Sequence, residues 1–394
     1  MKFTKKEWIV FGIVFLIGIF ANLDKSMIGF TANKLISTYG FTKAQVGNLS
    51  SVFYVSFILV TIPGGWLVDR FGYKKFVVIS LTMLVIFSFL FGNVSSLAAI
   101  LFLRFMVGFG HAGYTNGSPK IISENFQADQ CAKVQSIVIA TAGIGGILAS
   151  TVGQAIINSN WHNAYYFLSG GYLVALILVI FFLKENKQKT VQQATPENKV
   201  GFFDAWKNKN TLLLAVAILF SNLVGVALMF WLPNVFAVNF NIQDSSLLST
   251  VMVGFYVVMT IATAISGSVI TKYFKGKEQK FIFWSSVFTA ICIVVFISSP
   301  FYQLSIAALY VGDFLMMVAF AGLLSLPYQL IPRKIIGSAF AVLNIGAFVG
   351  GIVSPQLVSA FAGESSYFFS FIVLAVCMLI SGIFALLVKK PENI

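Results

Sequence analysis

The feature that most constrains this chain is a succession of apolar runs, each long enough to cross a bilayer. A membrane helix needs about 20 mostly apolar residues. Such runs fall at 8–32, 45–69, 75–93, 97–123, 134–157 and 162–184, and then at 211–239, 245–272, 279–298, 302–330, 335–362 and 366–388. The expected fold class is an all-α integral membrane protein with twelve transmembrane helices in two six-helix halves. Composition supports this reading: 10% of the residues are charged and 58% hydrophobic, whereas a soluble domain carries roughly 25% charged residues. No polar stretch is long enough to build a soluble domain.

The net charge of +13 does not indicate a nucleic-acid partner, because the basic residues form short clusters between apolar runs. With both termini placed in the cytoplasm, clusters such as Lys2, Lys5 and Lys6, then Arg70, Lys74 and Lys75, then Arg333 and Lys334, collect on that side. Outside the spans only Lys34 and Lys43 fall on the other side. This asymmetry is the positive-inside pattern, and it supports an even number of crossings. The first apolar run is too long for the core of a signal peptide, about 7–15 residues, and has no small-residue cleavage site, so it is expected to be a retained helix. Cys131, Cys292 and Cys377 are scattered, which argues against a disulfide framework or a metal site.

A polar stretch at 185–210, containing KENKQKTVQQATPENK, divides six spans from six and is expected to be a flexible cytoplasmic linker between halves 1–184 and 211–394. Related stretches recur on either side of it. GWLVDRFGYKKF begins at Gly65, and GSVITKYFKGKEQKF begins at Gly267. Matching loops in two halves are the mark of an internal repeat, a common construction among secondary transporters.

The first of these loops carries a resemblance. Gly65, Asp69, Arg70, Gly72, Lys74 and Lys75 are similar to the G-x-x-x-D-R-x-G-x-K/R-K/R signature of the major facilitator superfamily. The resemblance implies a gating role, in which the loop latches the outward-facing state without touching substrate. The second copy has Thr271 and Lys272 where the first has Asp69 and Arg70. NLDKSMIGF in the first span, RFMVGFGHAGYTNGSPK in the fourth, FWLPNVF in the seventh and GSAFAVLNIGAFVGGIVSPQ in the eleventh further resemble the anion:cation symporter branch. That branch includes bacterial sugar-acid transporters and the sialin and vesicular glutamate relatives. By motif, Asp24 corresponds to its first-helix acid, Lys25 to the basic neighbour and Arg104 to the fourth-helix arginine. The resemblance implies proton coupling for the acids and anion binding for the basic residues. His111 departs from the pattern, standing where the branch usually has glutamate, which leaves the coupling ion and stoichiometry open. The fifth span has no Gly-Pro pair of the kind drug antiporters carry, which counts against an exporter.

Independent of any family, a charge at the bilayer centre costs roughly 2.5–3.5 kcal/mol on insertion scales. Asp24 and Lys25 together therefore call for a compensating role, either in function or as a structural ion pair. Consecutive residues lie about 100° apart on a helix and cannot point along one line. Arg104 and His111, close to two turns apart, share a face. Arg104 is suited to fork onto a substrate carboxylate, or else to pair with Asp24 or anchor its helix. His111 is suited to carry a proton, to hydrogen-bond substrate or simply to pack. Asp313 is a lone acid in the tenth span, expected either to meet a polar contact across the bundle or to lie near outer water. Asn344 is a candidate hydrogen-bond partner for a hydroxylated ligand, or for another helix. Gly143, Gly145, Gly146, Gly346 and Gly350 are assigned to close helix packing.

The expected function is proton-coupled import of a small organic anion, a carboxylate or sugar acid, by alternating access through a midplane cavity. Asp24 and His111 are assigned to proton coupling, and Lys25, Arg104 and Asn344 to substrate. The alternatives are a facilitator or proton antiporter of a neutral or cationic solute, or a transporter-like membrane sensor. No H-E-x-x-H, G-x-S-x-G or Walker A sequence is present, so no enzyme activity, cofactor or metal is expected. The expected setting is a bacterial inner membrane, with lipid, protons and substrate as partners and a monomer as the unit.

Overall fold

In the computed structural model of the chain, residues 3–184 and 202–389 are described, apart from Gln243, Lys275, Arg333 and Lys334. Most of the 185–210 linker therefore lies outside the described residues. Among the described residues every regular element is helical. Within lipid this follows from the backbone, whose N–H and C=O groups find no water and must pair inside the segment.

Among the described residues, eleven helical stretches are long and apolar enough to cross a membrane. One of them, Ile137–Phe182, has 46 residues and as a straight helix would be about 69 Å long, twice what a bilayer needs. It breaks at Asn160, which takes φ −157° and ψ 113°, and the Asn160 side chain caps the new helix by accepting from the His162 N–H at 3.1 Å. The break turns one stretch into two crossings, for a total of twelve.

The chain forms two compact units. The first, Met1–Phe41 with Asn48–Glu197, holds α1 (Lys5–Tyr39), most of α2 (Lys43–Phe71), α3 (Tyr73–Phe91), α4 (Leu97–Asn125), α5 (Ala128–Leu148), a π-turn (Ala149–Gly153) and α6 (Gln154–Phe182). Its helix ends are specified locally. Thr4 and Glu7 form a capping box at the start of α1, and Gly40 closes that helix at φ +68°, a left-handed conformation that favours glycine. Ser96 caps α4 by accepting from the Ala99 N–H. Within the unit, α3 lies between α4 and α6, and α1 packs on α5 and α6.

The second unit, Thr42–Gly47 with Asn198–Ile394, holds α7 (Phe202–Lys207), α8 (Lys209–Asn239), α9 (Ser245–Tyr273), α10 (Glu278–Ser298), α11 (Tyr302–Ser325), α12 (Pro327–Leu330), α13 (Ile336–Phe361) and α14 (Phe368–Leu387). The sequence suggests one span over 302–330. The structure divides it into α11 and α12 at Pro327, which has no N–H to continue the ladder. The closest pairing joins α8 to α13. A Cβ at Gly346 would lie 2.5 Å from the Ala215 carbonyl oxygen, and one at Gly350 would run into that of Leu219. Small residues at this spacing let two backbones approach. Asn222 Nδ2 donates to Ala347 O at 2.6 Å and Ser354 Oγ to Leu223 O at 2.7 Å, so polar side chains tie the same seam.

Candidate functional site

The first unit buries a cluster of ionisable groups. Asp24 on α1 is 1% exposed, Arg104 on α4 is 2% exposed and His111, also on α4, is fully buried. One carboxylate oxygen of Asp24, Oδ1, accepts from Arg104 Nη1 at 2.7 Å. The other, Oδ2, lies 2.8 Å from His111 Nε2. With the carboxylate ionised, Nε2 is the protonated nitrogen and donates, since the carboxylate can only accept. His111 Nδ1 then keeps a bare lone pair with no partner among the described residues. The Tyr172 hydroxyl on α6 donates to Phe20 O at 3.1 Å and sits 3.3 Å from His111 Nε2.

Helix geometry and a few small residues create this arrangement. Positions 104 and 111 differ by about 20° around a helix, so both side chains reach the same acid. Between them Gly108 meets α2, where an added Cβ would lie 2.5 Å from Phe53 O. On α5, Gly145 lets the helix close on α1 beside Asp24; a Cβ there would lie 2.6 Å from the Leu23 nitrogen. Asn22 fixes the same contact, donating to Gly18 O at 2.9 Å and to Thr141 Oγ1 at 3.1 Å. Phe53 covers the cluster, with the Arg104 guanidinium 4.7 Å from its ring centre and the His111 ring edge-on at 5.0 Å.

Lys25 takes the other direction. It is partly exposed, its ammonium lies 5.3 Å from the centre of the Phe57 ring, and it forms no ion pair among the described residues. With His111 counted neutral, the cluster carries two cations and one anion.

Of the residues singled out from sequence, Asp24, Arg104 and His111 are thus brought into direct contact, with Lys25 beside them. Arg104 is committed to Asp24, the structural alternative the sequence left open. Tyr172 is an addition, and nothing in the sequence separates it from the other 12 tyrosines. In the second unit Asn344 is exposed on α13. Asp313 on α11 requires correction. It is 1% exposed, so it does not lie at outer water, and neither carboxylate oxygen has the expected polar partner among the described residues.

The loop after α2 is described in part. The side chains of Gly65 and Asp69 lie outside the described residues. Gly72 starts α3 at φ +86°, a left-handed value that side chains disfavour. Lys74 Nζ donates to Ile180 O at 2.8 Å and Tyr73 OH to Lys184 O at 3.2 Å, which ties the start of α3 to the end of α6. The lysine there meets the negative end of the α6 dipole. Arg70 and Lys75 are exposed.

Among the described residues, apolar helical crossings with ionisable side chains buried among them define a polytopic membrane protein of the transporter class. Comparison with known proteins gives the family. Residues 14–355 match the model of the Major Facilitator Superfamily, and the chain belongs to it. It is similar to the hexuronate transporter of Bacillus subtilis, with 21% identity over 95% of this chain and 92% of that one. It is also similar to the 4-hydroxybenzoate transporter of Acinetobacter baylyi, with 27% identity over 50% of this chain but only 43% of the relative. A solved bacterial homologue of the human lysosomal transporter Spinster shares the fold, with TM-score 0.82, 16% identity and 98% of each chain covered.

Proposed function

We propose that the protein is a proton-coupled importer of a small organic anion, working by alternating access between halves 1–184 and 211–394. The observation that carries this reading is the surplus cation. Lys25 forms no ion pair among the described residues, whereas Arg104 is already paired with Asp24. A positive charge at membrane depth without an ion-pair partner is costly, and an arriving carboxylate relieves that cost.

Charge balance links the anion to a proton. The anion alone cancels the surplus; a proton alone, on Asp24 or His111, doubles it. Taken up together they leave the cluster at its original charge, so with a proton aboard the loaded carrier has the same net charge in lipid as the empty one. Protonation of Asp24 also removes the partner of Arg104, whose guanidinium is then free to fork onto the substrate carboxylate. His111 Nδ1 offers a second place for the proton. Asn344 stays a candidate contact for a hydroxyl of the anion, and the loop around Asp69 and Arg70 a candidate latch. Hexuronate and 4-hydroxybenzoate, taken from the relatives' names, set the chemical class to test. A cell membrane with both termini cytoplasmic, and a monomer as the working unit, complete the proposal. A cation-binding role for Asp24 is less well supported, because both its oxygens are occupied.

The test is uptake of a radiolabelled panel of sugar acids, aromatic acids and neutral sugars into proteoliposomes, with and without an inward proton gradient. Gradient-stimulated accumulation of an acid supports the reading. Accumulation of neutral or cationic solutes alone overturns it.

A further inference from the structure

The second unit contains a buried acid that the coupling scheme above does not use. Asp313 lies mid-way along α11 and is 1% exposed, and neither of its carboxylate oxygens has a hydrogen-bond partner among the described residues. It lines a small cavity of about 10 Å³, room for about one water, with Leu228 of α8, Thr289 and Phe296 of α10, Leu309 of its own helix and Phe371 of α14. The nearest hydroxyl, that of Thr289, is spent on Gly312 O at 3.3 Å.

Among the described residues the surroundings of Asp313 supply no counter-charge. From α8, α10 and α14 the lining is apolar apart from Thr289. Cys292 of α10 approaches Gly312 without reaching the carboxyl, and Tyr310 of α11 donates to Val251 O of α9 at 2.9 Å. An ionised carboxylate here would lose its hydration and gain no partner, and buried carboxyls in that position resolve the cost by taking up a proton. A hydroxyl-bearing acid in a dry cavity is thus the form that fits this site. A metal cation does not fit, since a hard cation needs six or more oxygen ligands and only one carboxylate and one committed hydroxyl line the space.

We propose that Asp313 is a second proton-binding site of this carrier, in the other unit from the Asp24 cluster, and that it exchanges its proton with water once per transport cycle. The chemistry balances simply: the acid O–H bond breaks when water enters the cavity, the carboxylate keeps the electron pair and the proton leaves as hydronium; on the return a hydronium gives its proton back to the carboxylate, re-forming the bond and leaving water. The inference rests on the proton-coupled reading for its consequence, two protons moved per anion, but the site itself has a separate readout.

Infrared spectra of the full-length protein in lipid nanodiscs at neutral pH give that readout. A protonated-carboxyl carbonyl band is expected in the wild type, lost in Asp313→Asn and kept in Asp24→Asn. Asparagine matches the neutral acid in shape, so the variant tests charge state without disturbing packing. During turnover in D₂O the band should shift as the acid proton exchanges, and the measured proton-to-anion ratio should fall from two to one in Asp313→Asn. An unchanged carboxyl band in Asp313→Asn overturns the site. A band that disappears with the substitution but never shifts during turnover, or an unchanged coupling ratio, shows a static neutral acid and overturns the exchange. A wild type indifferent to proton gradients would instead remove the coupling reading, and the infrared bands would still decide whether Asp313 binds and exchanges a proton.

Discussion

Asp24 Oδ2 and His111 Nε2 lie 2.8 Å apart across α1 and α4, joining the acid of one helix to the residue that replaces the usual glutamate of the other. If the proton passes through this pair, His111→Gln should keep the packing and abolish stimulation of uptake by a proton gradient. Restoring an acid with His111→Glu should return it. Uptake at several external pH values measures both, and a Gln variant with the wild-type pH profile would falsify the role.

Asp24→Asn removes the only anion that pairs with Arg104 among the described residues. Breaking one side of a buried ion pair costs about 3–5 kcal/mol, so the variant should melt well below the wild type. It should also lose proton-driven accumulation while keeping some exchange of labelled for unlabelled substrate. Thermal unfolding in detergent and counterflow in proteoliposomes separate these effects.

Lys25 carries the surplus charge, so Lys25→Gln should weaken anion binding. A charge-assisted hydrogen bond contributes about 1.5–3 kcal/mol, which corresponds to roughly ten- to hundredfold in affinity. Lys25→Arg should retain most of it. Substrate-induced thermal shifts give the comparison, and equal affinity in all three proteins argues against Lys25 as the anion contact.

Gly145 keeps α5 against α1 beside Asp24. Gly145→Val should push the helices apart and cost about 1–3 kcal/mol through overpacking, with reduced transport because the Asp24 contacts move. Gly170→Ala is the control, since an added Cβ there meets nothing within 4 Å. If the two variants melt alike, the close approach is not what holds Asp24 in place.

Gly72 opens α3 at φ +86°. Gly72→Ala and Gly72→Asn should both destabilise by about 1–3 kcal/mol, because ψ there is 143°, outside the region asparagine tolerates and close to one that only glycine enters freely. Loss of the Lys74–Ile180 tie should accompany the alanine change, read as faster hydrogen exchange at the end of α6.

Much of this was legible in the chain. The length of each apolar run sets where the membrane is crossed, and even the 46-residue stretch Ile137–Phe182 was read as two spans, because no single crossing uses that length. The matching loops at Gly65 and Gly267 point to an internal repeat. The seven-residue spacing of Arg104 and His111 put both on one face of α4. The four-residue α12 was not legible, since a proline in a membrane span is equally compatible with a kink or a continuous helix.

The sequence by itself determined that Asp24, Lys25, Arg104, His111 and Asp313 are in lipid-depth helices, because burial of a charge there depends only on the apolar residues around it along the chain. Only the tertiary structure decided what each one meets. Asp24 finds Arg104 and His111 from 80 and 87 residues away, Lys25 finds an aromatic ring, and Asp313 finds no partner among the described residues. Partners across helices depend on how each helix is rotated and how closely its neighbours approach, and that was set by contacts such as Gly145 on Leu23 and Gly108 on Phe53, which no local pattern encodes.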